Sequence, residues 1–188
     1  MSAVFIFVVG GGMELGFYYW QANSVQQAAR TGARIAATQD PVAGELSSKT
    51  WLDGVRRTGD PLPDYLYVCD GATASCNAGT YRESAMAALI HGPDGFDPDA
   101  AACVETANRK AQGMCDFIPD LSAANVEVRY QGSGLGTAGS PADPQPLVTV
   151  TIKDLPREVL FLERLFGDSI TLKPVSVTVM AEDLRGAS

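Results

Sequence analysis

From Met1 to Met13 the chain carries no charge and is drawn almost entirely from Ala, Val, Phe, Ile, Gly and Met. The run then continues through Glu14 with no breaker but glycine to Gln39, where Asp40-Pro41 stops it. A segment like this is one long helix, and the rest of the fold has to be arranged around it. Its uncharged part meets Glu14 before reaching the roughly 20 apolar residues that a spanning helix needs. The expectation is therefore the C-terminal part of a transmembrane anchor whose first turns precede this numbering. A cleavable secretory signal fits less well, because the run has no basic n-region and no Ala-x-Ala-like exit. The cluster Phe17, Tyr18, Tyr19 and Trp20 has the composition of a membrane-water boundary, where aromatic rings with polar tips are favoured.

The remaining length, out of 188 residues, suffices for one globular domain but not for two. The spacing divides the chain into a helix over 1–39 and a domain over 40–188. Acidic residues outnumber basic ones, 22 against 14, and the densest basic spot is Arg56-Arg57, so nucleic acid is excluded as a partner. The sole histidine, His91, excludes a multi-histidine metal site or a histidine relay within one chain. No catalytic residue, cofactor or metal is expected. Gly134-Leu135-Gly136-Thr137-Ala138-Gly139 satisfies a phosphate-loop pattern, but the prolines that follow cannot open the helix such a loop requires. Asp94, Asp97 and Asp99 read as a solvated turn, without the spacing or the ligand number of a calcium loop. The alternative function, a membrane-tethered extracytoplasmic module for a small ligand or cation, would rest on these aspartates beside His91. His91 itself sits between a helix end and Gly92-Pro93 and reads as a capping residue, with no nucleophile motif to serve.

Beyond the first helix, the pattern predicts helices over 47–57, 82–90 and 100–114. Strands are predicted over 66–68, 126–130, 147–153 and 170–180. Alternation in the last three strands points to an antiparallel sheet with one buried face, hence an α+β fold. Residues 131–146, with four glycines and three prolines, read as a long loop.

Two rows of small residues mark the long helix: Ala28, Gly32 and Ala36, with Ala29, Ala33 and Ala37 on the adjoining ridge. They permit close backbone approach, either by a partner helix or by the chain's own sheet, and the sequence leaves both open. Residues 156–166 read as a short helix with more apolar surface than one buried face uses. Phe161, Leu165 and Phe166 are accordingly candidate interface residues. The four cysteines, Cys69, Cys76, Cys103 and Cys115, fit no zinc or redox template. Behind a membrane anchor they read as disulfides of an oxidising compartment. If 100–114 is one helix, Cys103 and Cys115 lie about 18 Å apart, beyond the roughly 7 Å a disulfide tolerates. A local Cys69–Cys76 bridge and crossed pairings both remain open.

Glu14-Leu15-Gly16, Tyr18-Tyr19 and the stretch Val25-Gln26-Gln27-Ala28-Ala29-Arg30-Thr31-Gly32-Ala33-Arg34-Ile35-Ala36-Ala37 resemble the start of the TadE-like family. Gly113-Met114-Cys115, Asn125 to Tyr130, Leu147 to Thr151 and Val177 to Leu184 resemble its later part. The resemblance implies a minor pilin or pseudopilin of the tight-adherence pilus, anchored in the inner membrane with a periplasmic α+β domain. Its implied partners are other pilins, its implied role is assembly without catalysis, and processing by a prepilin peptidase is implied by kinship alone.

Overall fold

The computed structural model describes residues 2–93, 112–139, 143–155 and 173–181; of 2–7 and 143 it describes the backbone only. Helix α1 spans Ser2–Thr38 and stops just ahead of Asp40-Pro41. In the last turn the Gln39 amide donates to the Ile35 carbonyl at 2.9 Å and the Thr38 hydroxyl to the Arg34 carbonyl at 3.0 Å. A second helix, α2, spans Glu83–His91 and buries Ala85, Met86, Leu89 and Ile90, one stripe at helical spacing.

Five strands complete the core: β1 (Leu66–Asp70), β2 (Ser75–Cys76), β3 (Val126–Thr137), β4 (Asp143–Ile152) and β5 (Val175–Met180). They form one antiparallel sheet in the order β2-β1-β3-β4-β5. Register follows the apolar alternation, since a slip of one residue would turn every core side chain to water. Val128 pairs with Val150 and with Cys69, and Tyr130 with Val148 and Tyr67, all on the buried face. The opposite face carries Asp70, Glu127, Arg129, Thr149 and Thr151. There Thr149 and Thr178 share a hydroxyl hydrogen bond at 2.8 Å, and Thr151 and Ser176 one at 2.9 Å. Lys153 donates to Asp70 at 2.8 Å and lies 3.5 Å from Glu127. Helix α1 lies against β4 and β5, so its C-terminal half shares the core with the sheet.

The α+β expectation holds, and three of its details change. Residues 47–57 are not a helix: a 3₁₀ turn ends at Ser47 and an irregular segment follows. Trp51 takes a left-handed φ of 61°, and the Asp53 carboxylate accepts from the Val55 and Arg56 amides, a local closure that competes with helical bonding. Residues 131–146 are not a long loop either. β3 continues to Thr137 and β4 begins at Asp143, with Gly132 opposite Pro146 and Gly136 opposite Pro144 around a bulge. Gly134 and Gly136, at φ 79° and 98°, supply the positive dihedrals that a bulge favours. The irregular segment before β1 holds this hairpin in place, through Gly59 to Ala138, Ala138 to Asp60 and Gly139 to Thr50. Third, β5 starts at Val175, immediately after Pro174. The helices expected over 100–114 and 156–166 fall outside the described residues, apart from 112–114, where a 3₁₀ turn begins at Met114.

Candidate membrane-proximal interface

Helix α1 has two halves in different surroundings. Glu14, Gln21, Val25, Ala28 and Gly32 recur every three, four or seven residues, and this face turns toward the domain. Glu14 is 6% exposed although Met13 and Leu15 beside it are 76% and 62% exposed. Val8, Val9, Met13, Leu15, Tyr19 and Trp20 form an exposed apolar surface with no charge among them. Trp20 stacks on Phe17, their ring centroids 5.6 Å apart. The aromatic cluster thus sits where the exposed half of the helix gives way to the buried half. Among the described residues no helix is long and apolar enough to cross a membrane.

Both small-residue rows are consumed within the chain. Ala28, Ala29, Ala33 and Ala36 are at most 1% exposed, and Gly32 and Ala37 are buried. A Cβ placed on Gly32 would collide with Met114 Sδ and stand 2.9 Å from its Cγ. Of the two readings of Ala28, Gly32 and Ala36, the close approach is therefore made by the chain's own Met114, β4 and β5, not left open to a partner helix.

Beside the aromatic cluster lies a groove of about 410 Å³, walled on one side by Phe17, Trp20, Gln21, Ser24 and Val25. Residues 117–120 and Leu155 form its other side. The 3₁₀ turn Met114–Asp116 delivers that segment to α1, because Met114 is fully buried against the helix and the Gly113 amide is held by Asp116 at 2.8 Å. Gln21 Oε1 is buried and accepts no hydrogen bond among the described residues. Sequence reading missed Phe117, Ile118 and Pro119, because three apolar residues in a row are too short to show a period.

Of the cysteines, Cys69 and Cys76 form a disulfide across paired positions of β1 and β2. The local pairing is the one adopted, and it removes the crossed pairings. Cys115 is buried, with its Sγ 3.7 Å from His91 Nδ1 at the end of α2. Cys103, the aspartates Asp94, Asp97 and Asp99, and the candidate interface residues Phe161, Leu165 and Phe166 lie outside the described residues. Among the described residues no group of three or more acidic, histidine or cysteine side chains could hold a metal ion. The phosphate-loop pattern at 134–139 is spent on the β3 end and its bulge.

One cluster had no sequence signal. Lys49 Nζ stands 4.8 Å from the centre of the Trp51 ring and donates to the Tyr67 hydroxyl at 3.2 Å. The Trp51 and Tyr65 rings are 4.7 Å apart, and burial pushes the Tyr65 phenol up to about 12. These contacts fasten the irregular segment to β1 and explain how a bulky residue is kept at positive φ.

No curated protein and no solved structure gives a significant match to the chain. The family model described as TadE-like protein matches residues 1–34. Those residues contain Glu14-Leu15-Gly16 and Ala28-Ala29-Arg30-Thr31-Gly32-Ala33-Arg34, which carry the resemblance, and the N-terminal segment of this chain is TadE-like.

Proposed function

We propose that the protein is a minor pilin or pseudopilin of a tight-adherence pilus, held in the inner membrane by α1 with its sheet domain on the periplasmic side. Its work is structural, with other pilins as partners, and no residue is asked to do catalysis. The observation that carries this reading is the division of α1. Val25, Ala28, Ala29, Ala33, Ile35, Ala36 and Ala37 are locked into the core, while the apolar surface formed by Val8, Val9, Met13, Leu15, Tyr19 and Trp20 stands exposed. Exposed apolar surface of that extent marks a membrane or protein interface. The match over 1–34 supports the pilus context. The Cys69–Cys76 disulfide suits an oxidising compartment.

The test is a deletion strain complemented with the full-length chain or with Val9→Asp, scored for surface pili by electron microscopy and for the protein in the inner-membrane fraction. Deletion should abolish or sharply reduce pili. Val9→Asp should release the protein from the membrane while leaving the domain's melting temperature unchanged. Normal pili in the deletion strain would refute the pilus role, and wild-type protein in the soluble fraction would refute the anchor.

A further inference from the structure

The outermost strand of the sheet, β2, has two residues, one of them Cys76. It belongs to a flap over residues 72–78 that is strung between two fixed points. At one end the Gly71 amide donates to the Val126 carbonyl at 3.0 Å, and a Cβ on Gly71 would strike the Ala123 carbonyl. At the other end the Thr80 carbonyl accepts from the Gly44 amide at 2.8 Å. Between these points every residue but Cys76 is exposed, and Cys76 is half-buried, so little apolar burial holds the flap down. The hydrogen bonds of Ala72, Thr73 and Ser75 run within the turn itself, to Asp70 and between Thr73 and Ser75. Ala74 stands at a left-handed φ of 46°, which an alanine adopts only at a cost.

Two ties fasten the flap to β1. One is the Cys69–Cys76 disulfide. The other is Asn77, whose main-chain amide donates to the Val68 carbonyl at 2.9 Å and whose side chain bonds the Val68 amide and the Leu66 carbonyl. Asn77 is exposed, and hydrogen bonds in contact with water give little net stabilisation. The covalent tie is therefore the stronger of the two.

We propose that the Cys69–Cys76 disulfide is a redox latch on this flap. Oxidised, the flap covers the outer edge of β1. Reduced, it swings out between Gly71 and Thr80 and bares the outward-facing backbone groups of Leu66 and Val68, while the other four strands and α1 stay in place. Cys69 is fully buried and Cys76 is not, so an external thiolate reaches Cys76 Sγ. A dithiol reductant attacks there. A mixed disulfide forms on Cys76, the Cys69–Cys76 bond breaks, and Cys69 leaves as a thiolate that takes up a proton. The second thiol of the reductant then displaces Cys76, which is protonated in turn, and the reductant departs as its own disulfide with two electrons passed to the protein. Opening is local because β1 keeps its pairing with β3, Cys69 opposite Val128.

The experiment follows hydrogen exchange at single amides of the full-length chain in detergent, before and after dithiothreitol. The Val68 and Asn77 amides cross the seam between β1 and the flap. Both should exchange roughly tenfold or more faster once the loop constraint is gone. The amides of Val128 and Val150, in the middle of the sheet, should change by less than about twofold. Cys69→Ala combined with Cys76→Ala should show the fast exchange without reductant and no further response to dithiothreitol, which separates the latch from every other cysteine. Unchanged Val68 exchange on reduction would overturn the proposal, because Asn77 would then hold the flap unaided. Equal acceleration throughout the sheet would overturn it by making the disulfide a support of the whole fold. A double variant that still responds to dithiothreitol at Val68 would place the switch elsewhere and overturn it as well.

Discussion

The Tyr130 hydroxyl accepts a hydrogen bond from the Val42 amide at 3.0 Å, joining the chain just beyond α1 to the middle of β3 across 88 positions. Both residues are fully buried. Burial holds the Tyr130 phenol well above its ordinary range, so at neutral pH it is a neutral acceptor. Tyr130→Phe would leave the Val42 N–H buried without its partner, at a cost of about 1–3 kcal/mol. At roughly 2–4 °C per kcal/mol for a chain of this size, calorimetry should show a clearly lower Tm. An unchanged Tm would mean that the amide finds another acceptor.

Gly32 is where the helix and the core compete for space. Gly32→Leu overpacks the site occupied by Met114 and should cost about 1–3 kcal/mol of domain stability, seen as a lower Tm of the full chain in detergent. Gly32→Ala combined with Met114→Ala should cost less than the sum of the two single losses, because the second change removes the atoms that the new Cβ strikes. If Gly32→Leu blocked pilus assembly with an unaltered Tm, the row would have to face a partner after all.

The Lys153–Asp70 pair gives the stability a signed pH dependence. The hydrogen bond from Lys153 holds the Asp70 carboxyl below its usual value, so its contribution is present at neutral pH and is lost as pH falls through the folded value. The hydrogen bond to Asp70 holds Lys153 above its usual value, so that contribution is lost only as pH rises through its own folded value. Lys153→Met should therefore lower Tm slightly at pH 7, by an amount corresponding to at most about 1 kcal/mol for so accessible a pair. The difference from wild type should shrink as pH falls below the roughly 3.9 of a free aspartate and the folded Asp70 carboxyl takes up its proton. A difference that persists there would assign the effect to packing of the lysine stem.

Cys69 and Cys76 close a short loop at one edge of the sheet, and the same edge is finished by Asn77. The Asn77 side-chain amide accepts from the Val68 N–H at 2.8 Å and donates to the Leu66 carbonyl at 3.1 Å, standing in for a neighbouring strand. Alkylation without reductant should find Cys69 and Cys76 protected in protein from the cell envelope. Cys69→Ala with Cys76→Ala should cost about 2 kcal/mol by loop-closure entropy, read as a fall in Tm that reductant reproduces in the wild type. Free thiols at both positions would refute the oxidising compartment.

The sequence by itself determined the elements whose signal is local. The long helix ends where Asp40-Pro41 stops it, α2 ends before Gly92-Pro93, and the valine alternation of β4 and β5 set which face of the sheet is buried, because periodicity and chain breakers act within a few residues. It also carried the TadE-like motif of α1. Only the tertiary structure decided what the small-residue rows touch, since Gly32 meets Met114 from 82 residues away, a contact with no local pattern. It turned the glycine and proline stretch after Tyr130 into a bulged hairpin, because pairing with β4 and support from Gly59 and Asp60 outweigh the weak strand propensity of those residues. It also brought Phe117, Ile118 and Pro119 beside Trp20. That groove belongs to two segments about a hundred residues apart, and the physical cause is the burial of Met114 against α1, which closes a long loop at the price of chain entropy.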